Sequence, residues 1–290
     1  MNVGDVRIHY LDFGGEGLPI VLLPAGARTA DHYKEFGPRF VDRHRVLAIT
    51  PRGTGESGGR MSAVPTTVRD ILAVLDTLGI RRAVMMGNTR PAVEMTYLAE
   101  HHPDRVAGLV YFAHGPQFIE LDTLDRTGGM RMYIRYLAAT MRLSVDAPLE
   151  LDSYRPAYLQ NAKARLTVPA LTFVNQDGKT RGLEHFNVLL LTAQQVAREG
   201  SGFIPDSLAR AYFERLAVDS GLQTQVRTLW ADLVPPKTAA DAAVFNRAFG
   251  DHLQTVRLNV PFVTGYEYST APDLLYPHIR LFLEQVSKSP

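Results

Sequence analysis

Residues 86–92 read Met-Gly-Asn-Thr-Arg-Pro-Ala and join the short apolar run Ala83–Met86 to a helical pattern over Pro91–His101. Gly87 and the alanine that follows Pro91 are small, which lets a strand and a helix pack closely. Pro91 suits the first turn of a helix, where its missing N–H is not needed. The stretch therefore predicts a buried strand that turns sharply into a helix, with Thr89 at the turn.

Apolar runs and helical patterns alternate on both sides of this turn. Strands are predicted over Val3–Tyr10, Pro19–Leu23, Arg45–Ile49, Ala83–Met86, Val106–Phe112, Val168–Val174 and Val256–Thr264. Helices are predicted over Ala30–Val41, Thr66–Leu78, Pro91–His101, Gln117–Met141, Ser153–Ala164, Phe186–Arg198, Asp206–Val218, Gln223–Leu233, Thr238–Phe249 and Leu274–Val286. In the second helix, Thr66 is the predicted N-cap and Gly79 the predicted C-cap. This alternation predicts an α/β protein with a doubly wound, mostly parallel sheet.

The helical blocks in the second half predict an insertion. We expect residues 1–115 and 255–290 to form the α/β core, together with residues 166–178. Residues 116–165 and 179–254 are expected to form a helical cap over the carboxyl edge of the sheet.

Several motifs occur in the order typical of one superfamily. Residues 21–27 read Val-Leu-Leu-Pro-Ala-Gly-Ala, and residues 50–57 read Thr-Pro-Arg-Gly-Thr-Gly-Glu-Ser. Together with residues 86–92 and the His-Pro-Asp-Arg-Val of residues 102–106, they resemble the cap-containing α/β-hydrolases. In that superfamily residues 24–25 are usually His-Gly, residue 50 is usually Asp, and the sharp turn is Gly-x-Ser-x-Gly.

The resemblance implies a catalytic triad whose members have changed. Thr89 occupies the position of the nucleophilic serine. Asp177, after the strand Val168–Val174, occupies that of the acid, and Tyr266 occupies that of the histidine. In a competing alignment Val260–Gly265 is the acid strand, with Glu267 or Tyr268 beside it. Both alignments leave the histidine position without a histidine, so the triad is degenerate.

These substitutions decide the predicted chemistry. A phenol has an unperturbed pKa of about 10, so Tyr266 is a poor base near neutrality. The branched side chain of Thr89 fits poorly in a strained turn. His114 is a candidate substitute base, or else a loop residue at the end of its strand. Asp177 is either a pocket residue or an ordinary turn residue, and Tyr266 either a proton donor or an aromatic wall.

Further residues are predicted to line the substrate pocket: Ala25, Gly26, Ala27, Asn88, Arg90 and Glu267. The backbone N–H groups of Gly26 and Arg90 are expected to bind an oxyanion beside a helix N-terminus. The Arg90 side chain either binds a carboxylate or is a solvated arginine at the start of a helix.

Three functional hypotheses follow. The first, which the sequence favours, is cofactor-independent lyase, cyclase, isomerase or dehydratase chemistry on an apolar carbonyl compound, with natural-product metabolism as one setting. Tyr266 and His114 would then act as acid and base. The second is hydrolysis of an ester, lactone, amide or epoxide by Thr89 and a non-standard base. The third is a ligand-binding protein without catalysis.

Composition limits the other classes of function. The net charge of +1 offers no strong field for nucleic acid or anionic lipid. The chain has no cysteine, which excludes disulfides and thiolate catalysis. We expect a cytoplasmic protein without a signal peptide or membrane segment, acting on a small-molecule substrate. No cofactor and no metal site is predicted, and a homodimer is left open.

Overall fold

The computed structural model describes residues 1–25, 28–113, 128, 132, 135, 156–175, 182–199, 206–260 and 267–288 of the 290-residue chain. The chain divides into two compact units. The first comprises Met1–Gln117, Ser144–Gly178 and Ala242–Pro290; the second comprises Phe118–Leu143 and Lys179–Asp241. The predicted role of the helical insertion as a cap stays a prediction.

The first unit is built on a seven-stranded sheet in the order β3-β5-β4-β6-β7-β8-β9. The strands are β1 Asn2–Val3, β2 Val6–Arg7, β3 Tyr10–Gly14, β4 Ile20–Leu23, β5 Val46–Ile49, β6 Ala83–Gly87, β7 Val106–Tyr111, β8 Ala170–Asn175 and β9 Leu253–Leu258. Strand β3 pairs antiparallel with β5, and all other pairs in this sheet are parallel. The predicted α/β class with a mostly parallel sheet is confirmed.

The predicted first strand, Val3–Tyr10, is wrong as a single element. Strands β1 and β2 instead form a small antiparallel hairpin in which Val3 pairs with Val6. Gly4 adopts a φ of +56°, which reverses the chain in the middle of the apolar alternation.

The helices are α1 Val64–Thr77, α2 Arg90–His101, α3 Ala157–Gln160, α4 Gly182–Glu199, α5 Ser207–Val218, α6 Ser220–Thr228, α7 Val234–Phe249, α8 Glu267–Thr270 and α9 Pro272–Ser287. A π-helical turn over Leu229–Leu233 joins α6 to α7. Most of the predicted helix Gln117–Met141 lies outside the described residues, as does the first part of Ser153–Ala164.

Two helix predictions in the first unit are wrong in detail. The expected helix Ala30–Val41 is two 3₁₀ turns, Ala30–Tyr33 and Gly37–Phe40, because Gly37-Pro38 interrupts it. Helix α1 begins earlier than expected, with Ala63 as N-cap and a proline in its first turn, so Thr66 is not the cap.

Helices cover both faces of the sheet, as β7 shows. An added Cβ at Gly108 would lie 3.0 Å from Cζ of Phe282 in α9. The hydroxyl of Tyr111, whose side chain points to the other face, lies 3.0 Å from Oγ1 of Thr96 in α2. The two faces are therefore packed by different helices, and the sheet is buried between them.

The face covered by α9 carries a large core cluster, which includes Phe282 and Ile279 of that helix. Arginine–carboxylate pairs on the surface then join α9 to residues early in the chain. Arg280 contacts both carboxylate oxygens of Asp42 at 2.6 and 2.7 Å. Two further pairs have the same connectivity, Arg39–Asp273 at 2.7 Å and Arg43–Glu284 at 2.9 Å.

The order of the last two strands bears on the alternative alignments of the acid strand. Strand β8 lies between β7 and β9, and β9 is the last strand in the sheet. A strand therefore follows Ala170–Asn175, as the first alignment requires, and the choice between the two alignments stays open. Strand β9 begins before the predicted Val256, and residues 261–266 lie outside the described part of the chain.

The second unit is helical and has its own core, which includes Phe213, Val226 and Trp230. Helix α5 begins at an N-cap aspartate, Asp206, whose carboxylate accepts a hydrogen bond from the N–H of Ala209 at 2.8 Å. Arg135 donates to both oxygens of the same carboxylate, at 3.1 and 2.6 Å. Asp206 thus combines a helix cap with a two-point ion pair.

We predict that Gly108→Ala destabilises the protein and that Phe282→Leu partly restores the loss. The added methyl group contacts the Phe282 ring, so overpacking costs about 1–3 kcal/mol. Urea denaturation of both single variants and the double variant measures the coupling. If the changes in the free energy of unfolding are additive, the new methyl group does not contact the Phe282 ring, and α9 has moved to make room for it.

Asp206→Asn should reduce the acid sensitivity of the second unit. The Arg135 guanidinium holds the pKa of the Asp206 carboxyl below its usual range. The ionised form is therefore stabilising above the unfolded pKa, and this stability is lost as pH falls through the folded pKa. Asparagine keeps the cap but not the charge. Helix content measured from pH 7 to pH 2 should fall less steeply in the variant; an unchanged slope contradicts this account.

Candidate active site

Thr89 has an unusual backbone. It lies between β6 and α2 with φ 54° and ψ −121°, and it is the sole described residue other than glycine with a positive φ. A branched side chain rarely adopts this conformation, which costs roughly 1–3 kcal/mol. The strained strand–turn–helix unit predicted from residues 86–92 is therefore present, and it presents the Thr89 side chain at an exposed position.

Close packing on both sides fixes the turn. A Cβ added at Gly87 would lie 2.7 Å from Cβ of Pro91 and 3.0 Å from the carbonyl oxygen of Leu23. No larger residue fits at Gly87 unless the helix or the neighbouring strand moves. Pro91 lies in the first turn of α2, where it needs no hydrogen-bond acceptor.

The first turn of α2 is not capped by the residue before it. Thr89 is the N-cap, and its side chain accepts no hydrogen bond from the helix. Pro91 has no N–H, and the N–H of Ala92 donates to the carbonyl of Thr89 at 3.0 Å. The Arg90 N–H is therefore the group of the first turn that is able to bind a developing negative charge. This is consistent with the predicted oxyanion role of the Arg90 N–H, which stays a prediction.

Asn88, also predicted to bind substrate, is 1% exposed. Neither its amide nitrogen nor its amide oxygen has a hydrogen-bond partner in the described structure. Such an unsatisfied group is costly in a protein interior. Ala25 is fully buried, and its carbonyl accepts a hydrogen bond from the N–H of Arg28 at 3.3 Å.

The Arg90 side chain is engaged within the protein. Its Nε donates to Oε1 of Glu94 at 2.8 Å, and its Nη2 donates to Oγ1 of Thr67 at 3.2 Å and to the carbonyl oxygen of Ser62. The guanidinium is thus neither the solvated group nor the free carboxylate ligand considered from the sequence. Nη1 of Arg90 is buried and has no hydrogen-bond partner in the described structure, and a direct role of the guanidinium in binding substrate stays a prediction.

Glu94 lies one helical turn after Arg90, and its side chain is 4% exposed. Burial raises the pKa of the Glu94 carboxyl, while the Arg90 charge and hydrogen bond act in the opposite direction. The two residues therefore form a partly buried ion pair at the start of α2, directly beside Thr89.

The turn formed by residues 50–57 supports the neighbouring strand ends. Thr50, at the position usually held by aspartate, accepts a hydrogen bond from the N–H of Ala30 and contacts Nδ1 of His9, both at 2.9 Å. Ser57 donates to the carbonyl of Thr50 at 2.8 Å. Threonine thus anchors this turn in place of aspartate through one hydroxyl.

A second buried pair lies close to the same turn. Arg52 donates to both oxygens of Asp70 in α1, at 2.5 and 2.6 Å. Both residues line a small crevice that also includes Pro24, Pro91 and Glu94. The segment after β5 is thus joined to α1 by a partly buried ion pair.

The ends of neighbouring strands converge near Thr89. Gly87 of β6 pairs with Tyr111 of β7, and the N–H of Phe112 donates to the carbonyl of Gly87 at 3.0 Å. His114 follows β7 in the sequence, Asp177 follows β8, and Tyr266 follows β9. These three predicted catalytic residues, with Gly26 and Ala27, lie outside the described residues, and their roles stay predictions.

Glu267 begins α8 and is buried. The next residue, Tyr268, belongs to the aromatic core, with its ring 4.7 Å from that of Tyr33 and 5.0 Å from that of Phe112. The Tyr33 hydroxyl in turn donates to the carbonyl of Leu23 at 3.0 Å. Tyr268 is therefore a packing residue, and the role of Glu267 in binding substrate stays a prediction.

Comparison with known proteins agrees with this geometry. Residues 19–133 match a family model described as the alpha/beta hydrolase fold. The chain has the α/β-hydrolase fold. The resemblance predicted from the motifs is thereby confirmed at the level of fold.

Relatives and solved structures with the α/β-hydrolase fold include several hydrolases. A 2-hydroxy-6-oxononadienedioate/2-hydroxy-6-oxononatrienedioate hydrolase of Paraburkholderia phymatum is 30% identical over 171 residues, which cover 57% of this chain and 54% of that protein. The chain spans about half the length of the curated relatives that it matches.

Two solved structures show the same fold across nearly the whole chain. An epoxide hydrolase from Vigna radiata has a TM-score of 0.59 and 13% identity, covering 98% of this chain and 96% of its own. The enol-lactonase from Burkholderia xenovorans has a TM-score of 0.51 and 16% identity, covering 97% and 98%. At such identities the similarity concerns the fold alone.

Three charged residues around the turn at Thr89 were not predicted from the sequence: Glu94, Arg52 and Asp70. The spacing of Arg90 and Glu94 is that of an ion pair within a helix, and this signal was available. Arg52 and Asp70 lie on different elements, and no sequence spacing connects them.

Within the described residues, no helix is long and apolar enough to cross a bilayer, and no group of His, Asp and Glu is arranged to hold a metal ion.

Asp70→Ala should destabilise the protein by about 3 kcal/mol, because it leaves the Arg52 cation buried without its partner. The control is Asp42→Ala, which removes an equally close pair with Arg280 on the surface and should leave the free energy of unfolding nearly unchanged. Urea denaturation of both variants measures the difference. Equal losses in the free energy of unfolding would show that burial does not determine how costly it is to break these ion pairs.

Proposed function

We propose that the chain is a hydrolase of a small ester, lactone or amide and that the Thr89 hydroxyl is its nucleophile. The observation that supports this most is the strained backbone of Thr89, which presents a hydroxyl between β6 and the uncapped N-terminus of α2. The names of the curated relatives support it further, because they include hydrolases of oxo acids.

The proposed reaction has two steps. The Thr89 oxygen attacks the carbonyl carbon while its proton passes to a base, and the resulting oxyanion is stabilised by the Arg90 N–H. The C–O or C–N bond then breaks, the leaving group takes the proton, and an acyl-threonine remains. Water attacks this acyl group and gives its proton to the same base; the bond between the acyl carbon and the Thr89 oxygen then breaks, and the base returns the proton to that oxygen as the acid leaves.

The base is proposed to be His114. In the described residues no histidine bonds to the Thr89 hydroxyl. His114 follows β7, which pairs with β6 so that Gly87 lies opposite Tyr111. The chain therefore leaves β7 at the level of the turn that carries Thr89. An imidazole is also the side chain best suited to accept a proton near neutrality.

Thr89→Ala should lower kcat/KM for nitrophenyl esters and lactones by roughly three orders of magnitude, because it removes the attacking atom. Thr89→Ser keeps the hydroxyl and removes the branching methyl group, so it should equal or exceed the original rate. Thr77→Ala, an exposed threonine in α1, is the matched control. Labelling by a fluorophosphonate probe, with the modified residue located by mass spectrometry, supplies the direct measurement.

Turnover that survives Thr89→Ala would overturn the hydrolase proposal. The relatives described above are named hydrolases, so their names do not support the non-hydrolytic hypothesis with Tyr266 as acid. It is favoured by one observation, the branched residue at the strained position. Under that hypothesis Tyr266→Phe, and not Thr89→Ala, abolishes activity. A protein inert towards both the probe and the substrates would favour ligand binding without catalysis.

A further inference from the structure

The conformation of Thr89 needs an external cause. A threonine at φ 54° is unfavourable by itself, and such a residue persists only where its surroundings impose the geometry. The Thr89 side chain makes no capping hydrogen bond to α2 that would stabilise the turn. The restraint must therefore come from the residues on each side of it.

On the strand side, the sheet supplies the restraint. Gly87 is hydrogen-bonded within the sheet and lies against Pro91 and the Leu23 carbonyl. On the helix side, the first residue of α2 is Arg90. Its guanidinium contacts the Ser62 carbonyl and Thr67, which belong to the segment before α1 and to α1 itself.

Arg90 is poorly placed if its role is to stabilise α2. A cation at a helix N-terminus opposes the helix dipole, and a buried cation needs a partner. Glu94 supplies the opposite charge from within the same helix, with Oε1 2.8 Å from Nε of Arg90. The arrangement tolerates an unfavourable charge in order to join the first turn of α2 to α1.

We propose that Arg90 and Glu94 are positioning residues that hold Thr89 in its strained conformation by fixing the first turn of α2 against α1. The relevance of this restraint to catalysis rests on the proposed role of Thr89 as nucleophile. The restraint on the Thr89 backbone does not depend on that role. Arg90 is, in this view, a support for the reactive hydroxyl and not a ligand for the substrate.

A double-mutant cycle tests the restraint without any activity measurement. Thr89→Gly removes the branched side chain from the strained position and should raise the folding equilibrium constant by roughly five-fold. The same substitution is then made in the double variant Arg90→Met with Glu94→Met, which removes both charges and leaves neither unpaired. In that background the turn relaxes, and Thr89→Gly should change the constant by less than about two-fold.

An equal gain from Thr89→Gly in both backgrounds would overturn the inference. If the methionine pair fails to fold, Arg90→Lys replaces it, because lysine keeps the charge but loses the planar fork that reaches several acceptors. An equal gain in stability from Thr89→Gly with and without Arg90→Lys would then overturn the inference. Asp42→Asn, which removes a surface pair of α9, is the matched background in which the original five-fold gain should persist.

Labelling of Thr89 by a fluorophosphonate probe links the restraint to reactivity. The methionine pair should slow labelling about ten-fold or more under conditions where the variant remains folded, and Arg90→Lys should give an intermediate rate. If the original protein is not labelled at all, the proposed function fails, whereas the cycle still decides whether the pair imposes the conformation. Unchanged labelling together with an unchanged cycle rejects the positioning role.

Discussion

The backbone of Thr89 is the constraint on which the surrounding structure depends. For this one residue to sit at a positive φ, β6 must approach α2 closely enough to require glycine at position 87, and α2 must start with Arg90 and Pro91. A helix that starts at this point leaves the Arg90 N–H at the turn that carries Thr89. The same geometry therefore explains the glycine at position 87 and the proline at position 91.

Charged groups shielded from water surround this turn. Arg52 with Asp70 joins the segment after β5 to α1, and Arg90, which is paired with Glu94 within α2, contacts Thr67 of α1. Thr50 accepts a hydrogen bond from the N–H of Ala30 through its hydroxyl. Buried pairs contribute little net stability but are costly to break, so they specify one arrangement of the elements that they join. Here they restrict how the strand ends and the two helices meet, which is where a displacement of a fraction of an ångström matters most.

Much of the fold was predictable because its signals are local. Continuous apolar runs identified β4 through β8, and helical periodicity identified α2, α4, α5 and α9. The errors also have local causes: a glycine at positive φ divided the first strand, and Gly37-Pro38 divided a helix. The site was harder to predict. Thr89 follows from its motif, but the pairing of Arg52 with Asp70 depends on how distant elements pack, which no spacing in the sequence encodes.

Helix α9 has a consequence for how the chain is made. It covers the face of the sheet that β4, β6 and β7 share, and its arginine and acidic side chains reach back to Arg39, Asp42 and Arg43. Ribosomes synthesise α9 after every one of those strands. During translation the nascent sheet therefore carries an uncovered apolar surface until the helix emerges, and folding has to close a very long loop. We expect this chain to depend on chaperones during synthesis more than its final stability would suggest.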